Sequence, residues 1–143
     1  MLYTFRFEGK KYAYDSVSGA IVQPSALEYK MMGAILPPLT AVCPTSLRYE
    51  LAKYDSLDVE EAYGEIYALS QQGVLYCPED GFIRIQTDGE YAFASTALIS
   101  AALNEAFSQG TDPHRFEALG EKADEAKKVA EELAARLGKN IKF

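Results

Sequence analysis

Residues that hold metal ions are scarce in this sequence. Its 143 residues include two cysteines, Cys43 and Cys77, and one histidine, His114. A structural zinc or an iron–sulfur cluster takes about four Cys or His ligands, often with two of them in a Cys-x-x-Cys pair, and no such pair occurs here. We therefore expect neither a metal nor another cofactor bound by this chain alone. Two cysteines are also few for an extracellular protein, so the cytoplasm is the expected location.

Long hydrophobic runs and an excess of basic residues are missing as well. A membrane helix needs roughly 20 apolar residues in succession, and charges at Arg6 and Glu8 interrupt the N-terminal segment. The 14 basic residues are outnumbered by 21 acidic ones, which gives a formal net charge of −7. Nucleic-acid binding draws on clustered Lys and Arg. We expect no membrane and no nucleic acid among the partners; the charge either favours a basic or neutral peptide or only keeps the protein in solution.

The sequence also lacks the short motifs of common enzymes. It has no phosphate-binding loop, no His-Glu-x-x-His and no nucleophile elbow. Asp112 and Pro113 precede His114, but this pair is explained as the cap and first residue of a helix, where the missing N–H of proline costs least. We expect His114 on the surface and predict that the chain is not an enzyme.

The composition is that of a folded protein, with 48% hydrophobic and 24% charged residues. Aromatic runs at 2–7 and 12–14, separated by a Gly-containing turn, predict a hairpin, and 20–23 follows as a third strand. Pro24 ends that strand.

Three helices are predicted next. Ser25 and Glu28 form a capping box that begins a helix over 26–35, which the tandem prolines at 37 and 38 break. A second helix is predicted over 46–54. The third is predicted to begin at Asp58, with Glu61 completing another capping box, and to end before Gly73.

The remaining residues predict a second small sheet and two helices. Strands over 74–77, 82–86 and 91–94 are joined by Asp-Gly turns, which favour hairpins. A helix over 95–109 follows, and a last helix is predicted to begin at Asp112. Its apolar stripe, expected to pack on the preceding helix or on a second copy, comprises Phe116, Leu119, Ala126, Val129, Leu133 and Leu137. Ile141 to Phe143 could add a short strand.

Two segments carry a family resemblance. Residues 12–22 read YAYDSVSGAIV, and residues 58–67 read DVEEAYGEIY, with GVLY at 73–76. The chain resembles the N-terminal peptide-recognition domain of radical-SAM maturases that install thioether cross-links in cysteine-rich peptides, and it is similar to the pyrroloquinoline-quinone peptide chaperone. The resemblance implies an α+β fold: a winged-helix-like module over 1–77, with three strands and then three helices, and a hairpin and helical extension over 78–143 packed on it.

The resemblance also implies a function. In such domains the leader of a precursor peptide adds as a strand to the third β-strand and lies beside the third helix. The matching strand residues are Ala20, Ile21, Val22 and Gln23, and the matching helix residues are Glu60, Tyr63 and Tyr67. A proline at Val22 is expected to weaken binding by removing a backbone donor. The cysteine trio of the family's catalytic domain is absent, so the expected role is to deliver the peptide to a radical-SAM enzyme. The alternative is a regulatory subunit that docks on a partner enzyme through its last helix, and a homodimer stays open.

Overall fold

The computed structural model describes residues 1–92, 95–109 and 115–143 and has the predicted α+β class. The strands are β1 (Leu2–Phe7), β2 (Lys10–Asp15), β3 (Ile21–Val22), β4 (Phe82–Gln86) and β5 (Arg115–Leu119), and the helices are α1 (Ala26–Met32), α2 (Thr45–Glu50), α3 (Ser56–Gln71), α4 (Thr96–Gln109) and α5 (Ala123–Leu137). Across these described ranges, no helix is both long enough and apolar enough to cross a membrane.

The first three strands form an antiparallel meander in the order β1-β2-β3, as predicted. Glu8 and Gly9 make the first turn with φ angles of 51° and 76°, and Phe7 pairs with Lys10 on either side of them. Two consecutive residues at positive φ are typical of the tight hairpin turn whose twist matches that of the strands. β3 is shorter than predicted and pairs with β2 through Ile21 and Val22.

Both faces of this sheet are covered. Tyr3, Phe5 and Tyr14 pack on one face with residues of α4, α5, β4 and β5. Ala13 and Val22 pack on the other face with residues of α1, α2 and α3. Because side chains alternate between the faces of a strand, one sheet serves two hydrophobic clusters. The first cluster combines residues from both predicted parts of the chain, 1–77 and 78–143.

Side chains cap the starts of α1 and α3. Ser25 and Glu28 form the predicted capping box at α1, with the Glu28 N–H donating to Ser25 Oγ at 3.2 Å and the Ser25 N–H donating to Glu28 Oε1 at 3.0 Å. The capping box predicted at Asp58 is wrong. Asp55 caps α3 by accepting from the Leu57 N–H at 2.8 Å, and Asp58 lies within the first turn, where a carboxylate favours the positive end of the helix dipole.

The second meander predicted for residues 74–94 is wrong. Of its three expected strands, 82–86 forms, as β4; residues 74–77 are irregular, residues 91 and 92 are not in a strand, and 93 and 94 lie outside the described residues. β4 instead pairs in parallel with β5, with Ile83 opposite Phe116. Phe116 and Leu119 were predicted on the last helix but lie in β5. The buried positions there alternate, Phe116 and Ala118, which is the period of a strand.

The last helix begins at Ala123 and not at Asp112, where its start was predicted. Asp112 and His114 lie outside the described residues. Its buried side chains, Ala126, Ala130, Leu133 and Ala134, pack in one cluster with Leu98, Leu103 and Phe107 of α4. Of the two packings predicted for this helix, on α4 or on a second copy, the structure shows the first, and it leaves Leu137 of the predicted stripe exposed. Residues 141–143 form no strand, although the Lys142 carbonyl accepts from the Phe116 N–H at 2.7 Å.

The turn between β2 and β3 joins the two parts of the chain. Its Ser16 and Gly19 carbonyls accept from the N–H groups of Arg84 and Gln86 in β4, at 2.7 and 3.0 Å. Asp15 is fully buried at the start of this turn. Its carboxylate accepts from backbone N–H groups of the turn and from Cys77, at 3.1 Å. The turn therefore fixes the position of both β4 and the segment after α3.

Candidate functional site

A groove of about 610 Å³ runs beside β3. β3 and the two residues after it form part of its lining. α1 contributes Glu28 and Met32, α3 contributes Glu65 and Leu69, and residues 90–92 also border it. Because α1 and α3 pack on the sheet next to β3, the groove is a gap between a strand edge and two helices.

The backbone of β3 determines which groups face the groove. The Asp15 N–H donates to the Ala20 carbonyl at 3.1 Å, so the Ala20 carbonyl faces β2, while the Ala20 N–H donates to Ser18 Oγ within the turn. Antiparallel pairing alternates, so Val22 also faces β2, opposite Ala13, while Ile21 and Gln23 direct their N–H and C=O away from it. A proline at Val22 would therefore disturb the sheet rather than the outer edge, contrary to the sequence-based expectation.

One outward donor of this edge already has a partner. The Ile21 N–H donates to the carbonyl of Tyr91 at 3.0 Å. The chain thus places one of its own backbone carbonyls where the carbonyl of an added strand would lie. Gln23, the next outward residue, is exposed.

The four predicted strand residues differ in burial. Ala20, Ile21 and Val22 are buried, and Gln23 is exposed. Ile21, Val22 and Gln23 line the groove. Since the first three side chains are used by the core, this edge offers a ligand mainly its backbone.

The three predicted residues of α3 lie elsewhere. Tyr63 is buried and its hydroxyl donates to the Thr40 carbonyl at 2.5 Å. Glu60 is ion-paired with Arg48 of α2. Tyr67 is half-buried against the cluster formed with α1 and α2. None of the three lines the groove beside β3, so the structure does not bring the two predicted groups together.

The helix residues that line the groove are different from those that the family resemblance implies. Glu65 and Leu69 are one helical turn apart on α3, and Glu28 and Met32 have the same spacing on α1. Their common i, i+4 spacing shows that each pair shares a helix face. One feature of the sequence indicates that Glu28 lies here: the capping box at the start of α1 holds it next to the end of β3.

Three of the four charged side chains that line this groove are acidic. The hydrogen bond and the negative charge of Glu28 raise the pKa of the Glu65 carboxyl, and burial and Glu61 raise it further by smaller amounts. Glu90 is the third acidic residue of the lining, and Lys10 is its one basic residue. Two carboxyl groups held this close favour a proton or a cationic side chain between them.

The cysteine thiols are held in their neutral form. Burial raises the pKa of both thiols, and the negative charge of Asp15 raises that of Cys77 further. Both cysteines are free. A raised pKa lowers the thiolate fraction, which is the reactive species. In the part of the chain that the structure describes, no group of three or more His, Cys, Asp or Glu is placed to hold a metal ion.

Comparison with known proteins does not assign a family. No family model matches the chain, and no curated protein matches it closely enough to count as a relative.

Proposed function

We propose that this chain binds an extended segment of a peptide, the leader of a ribosomally made precursor, by strand addition at β3, and presents it to a modifying enzyme of the radical-SAM class. The observation that supports this most is the bond from Ile21 to the Tyr91 carbonyl. An outward-facing N–H that already donates to a carbonyl has the geometry that strand addition requires.

The bound segment would replace the Tyr91 carbonyl and continue along the edge to Gln23. Met32 and Leu69 offer it apolar contact within the groove. Glu28 and Glu65 favour a Lys or Arg side chain in the same segment. The proposed ligand is therefore an extended peptide in which a basic residue accompanies apolar ones.

Docking on a partner enzyme through the last helix is the alternative role. The buried side chains of that helix, Ala126, Ala130, Leu133 and Ala134, however, pack against α4 within the chain. What remains for a partner is the mostly charged outer face of α5, with Leu137 exposed near its end, and exposed charge pairs contribute little affinity. Strand addition at β3 is better supported, and in that role the chain binds without catalysing.

Gln23→Pro should weaken peptide binding about three- to tenfold, because it removes one outward backbone donor, and a hydrogen bond contributes about 0.5–1.5 kcal/mol net. The probes are peptides selected on the full chain from a random-peptide phage library, with dissociation constants from fluorescence anisotropy. Asn140→Pro, in the exposed C-terminal segment, is the matched control and should bind as the wild type does. Equal affinity of the two proline variants, or a library that yields no binder, would argue against strand addition at this edge.

Glu65→Gln should lower the affinity for a lysine-bearing peptide about two- to fivefold near neutral pH, as expected for one exposed charge pair. The pKa of Glu65 is raised, so its carboxyl becomes neutral as the pH falls through that raised value. Wild-type affinity should therefore decline toward that of the variant on acidification. Titrations over a pH series measure this convergence.

Glu60→Gln is the control for this experiment, because Glu60 lies on the other flank of α3 and pairs with Arg48. It should leave peptide affinity unchanged. Measuring the free energy of unfolding shows whether a loss of affinity comes from a loss of stability. Ionised Glu65 is repelled by Glu28, so Glu65→Gln should be no less stable than the wild type near neutral pH. A larger loss of affinity with Glu60→Gln would place the peptide on the flank suggested by the family resemblance.

A further inference from the structure

The sheet has a second edge, the outer side of β1, which spans Leu2–Phe7. The Ser16 N–H donates to the Met1 carbonyl at 3.0 Å, so Met1 faces β2, and by alternation Leu2, Thr4 and Arg6 direct their N–H and C=O outward. Among the described residues, no hydrogen bond is formed to these outward groups. The edge of β1 is therefore longer and more open than that of β3.

Proteins usually protect such an edge with lysines, a proline or a bulge. β1 has none of these: each of its residues pairs in continuous register with β2, from Leu2 opposite Asp15 to Phe7 opposite Lys10. Arg6 supplies its one charge. An open, regular edge of this length favours pairing with another strand.

We propose that the β1 edge pairs with the β1 edge of a second copy of this chain, forming one antiparallel sheet across a two-fold axis at Thr4. In this register Thr4 lies opposite Thr4 of the second copy, and Leu2 lies opposite Arg6. All three outward residues then find partners, with about six hydrogen bonds between the chains. A pair of threonines is a favourable cross-strand pair.

The other registers are poorer. Centring the pairing on Arg6 places two guanidinium groups opposite each other, and like charges in that position are destabilising. Centring it on Leu2, Tyr3 or Phe5 leaves at least one outward residue unpaired, because the strand ends. The sequence of β1 is thus self-complementary in one register, which is the requirement for a two-fold interface. Since β3 lies on the far side of β2, both peptide grooves would stay open.

Charge substitutions at the axis test the pairing on the full chain. Sedimentation over a concentration series should give a dimer for the wild type and for Thr4→Val. Thr4→Lys and Thr4→Glu, each alone, should raise the dimer dissociation constant about tenfold or more, because each places two like charges together. An equimolar mixture of these two variants should recover the dimer, which also shows that both fold.

A cysteine pair tests the register independently of charge. Thr4→Cys should form a disulfide between two copies on mild oxidation, because the two residues of a hydrogen-bonded antiparallel pair lie about 5.5 Å apart at Cα, within the Cα range of disulfides. Arg6→Cys should not form such a disulfide. In the proposed register residue 6 of each copy lies opposite Leu2 of the other copy, so the two cysteines are far apart. Any of three results would overturn the proposal. The wild type could be a monomer at every concentration, the charged Thr4 variants could dimerise as tightly as the wild type, or both cysteine variants could cross-link equally.

Discussion

Gly19→Ala should destabilise the protein by about 2–5 kcal/mol. Gly19 has a φ of +78°, and a Cβ built on it would lie 2.8 Å from the backbone nitrogen of Gln86 and 3.0 Å from two backbone carbons of β4. The left-handed conformation alone costs an alanine about 1–2 kcal/mol, and overpacking against atoms that cannot rotate away adds about 1–3 kcal/mol. Urea unfolding, followed by circular dichroism, measures the loss.

Gly9→Ala separates the two contributions. Gly9 has almost the same φ, +76°, but a Cβ there would meet nothing within 4 Å. This variant should lose only the conformational part, about 1–2 kcal/mol. If both alanine variants lost equal stability, the close approach of the 16–19 turn to β4 would be refuted, and with it the role of this turn in joining the two parts of the chain.

Asp15→Ala should cost about 3–5 kcal/mol. Its carboxylate, which is fully buried, accepts from the N–H groups of Val17 at 2.9 Å, Ser18 at 3.0 Å and Cys77 at 3.1 Å. Each donor left without a partner costs about 1–3 kcal/mol, and water can reach some of them after the truncation. The free energy of unfolding, from a denaturant titration near neutral pH, gives the value.

Asp15→Asn should cost less, about 1–3 kcal/mol, because the amide keeps one acceptor oxygen and loses the other. Asp58→Ala is the control for removing an aspartate, since Asp58 is exposed in the first turn of α3. It should change stability by no more than about 1 kcal/mol through the helix dipole. A loss at Asp15 no larger than at Asp58 would show that the buried carboxylate does not hold the turn.

The sequence predicted the elements whose determinants are local. The β1–β2 hairpin follows from aromatic strands around a turn, and the capping box of α1 needs only Ser25 and Glu28. The parallel pairing of β4 with β5 could not be predicted this way, because Ile83 and Phe116 are far apart in sequence. The Asp-Gly turns beside β4 favoured a hairpin, and no local signal opposed it.

In the candidate site, too, one part of the prediction depends on local sequence and the other on packing. The family resemblance implies residues 20–23, and 21–23 do line the groove. Glu60, Tyr63 and Tyr67 do not line this groove, because the orientation of α3 depends on how α1 and α2 pack against it. Tyr63 has the amphipathic character of an interface residue, yet its hydroxyl donates to the backbone carbonyl of Thr40 within the chain. A sequence gives the period of a helix, but contacts with other elements determine which flank meets the strand.

The sheet shared by two hydrophobic clusters has a consequence for the order of events during synthesis. A ribosome releases β1 and β2 first, but α4, which covers Tyr3 and Phe5, follows only much later in the chain. Contacts between segments so distant in sequence form slowly, since the entropy of a long loop is lost before they do. Until α4 and α5 emerge, the nascent chain carries an uncovered aromatic surface, and such a surface is what chaperones bind and what aggregation begins from.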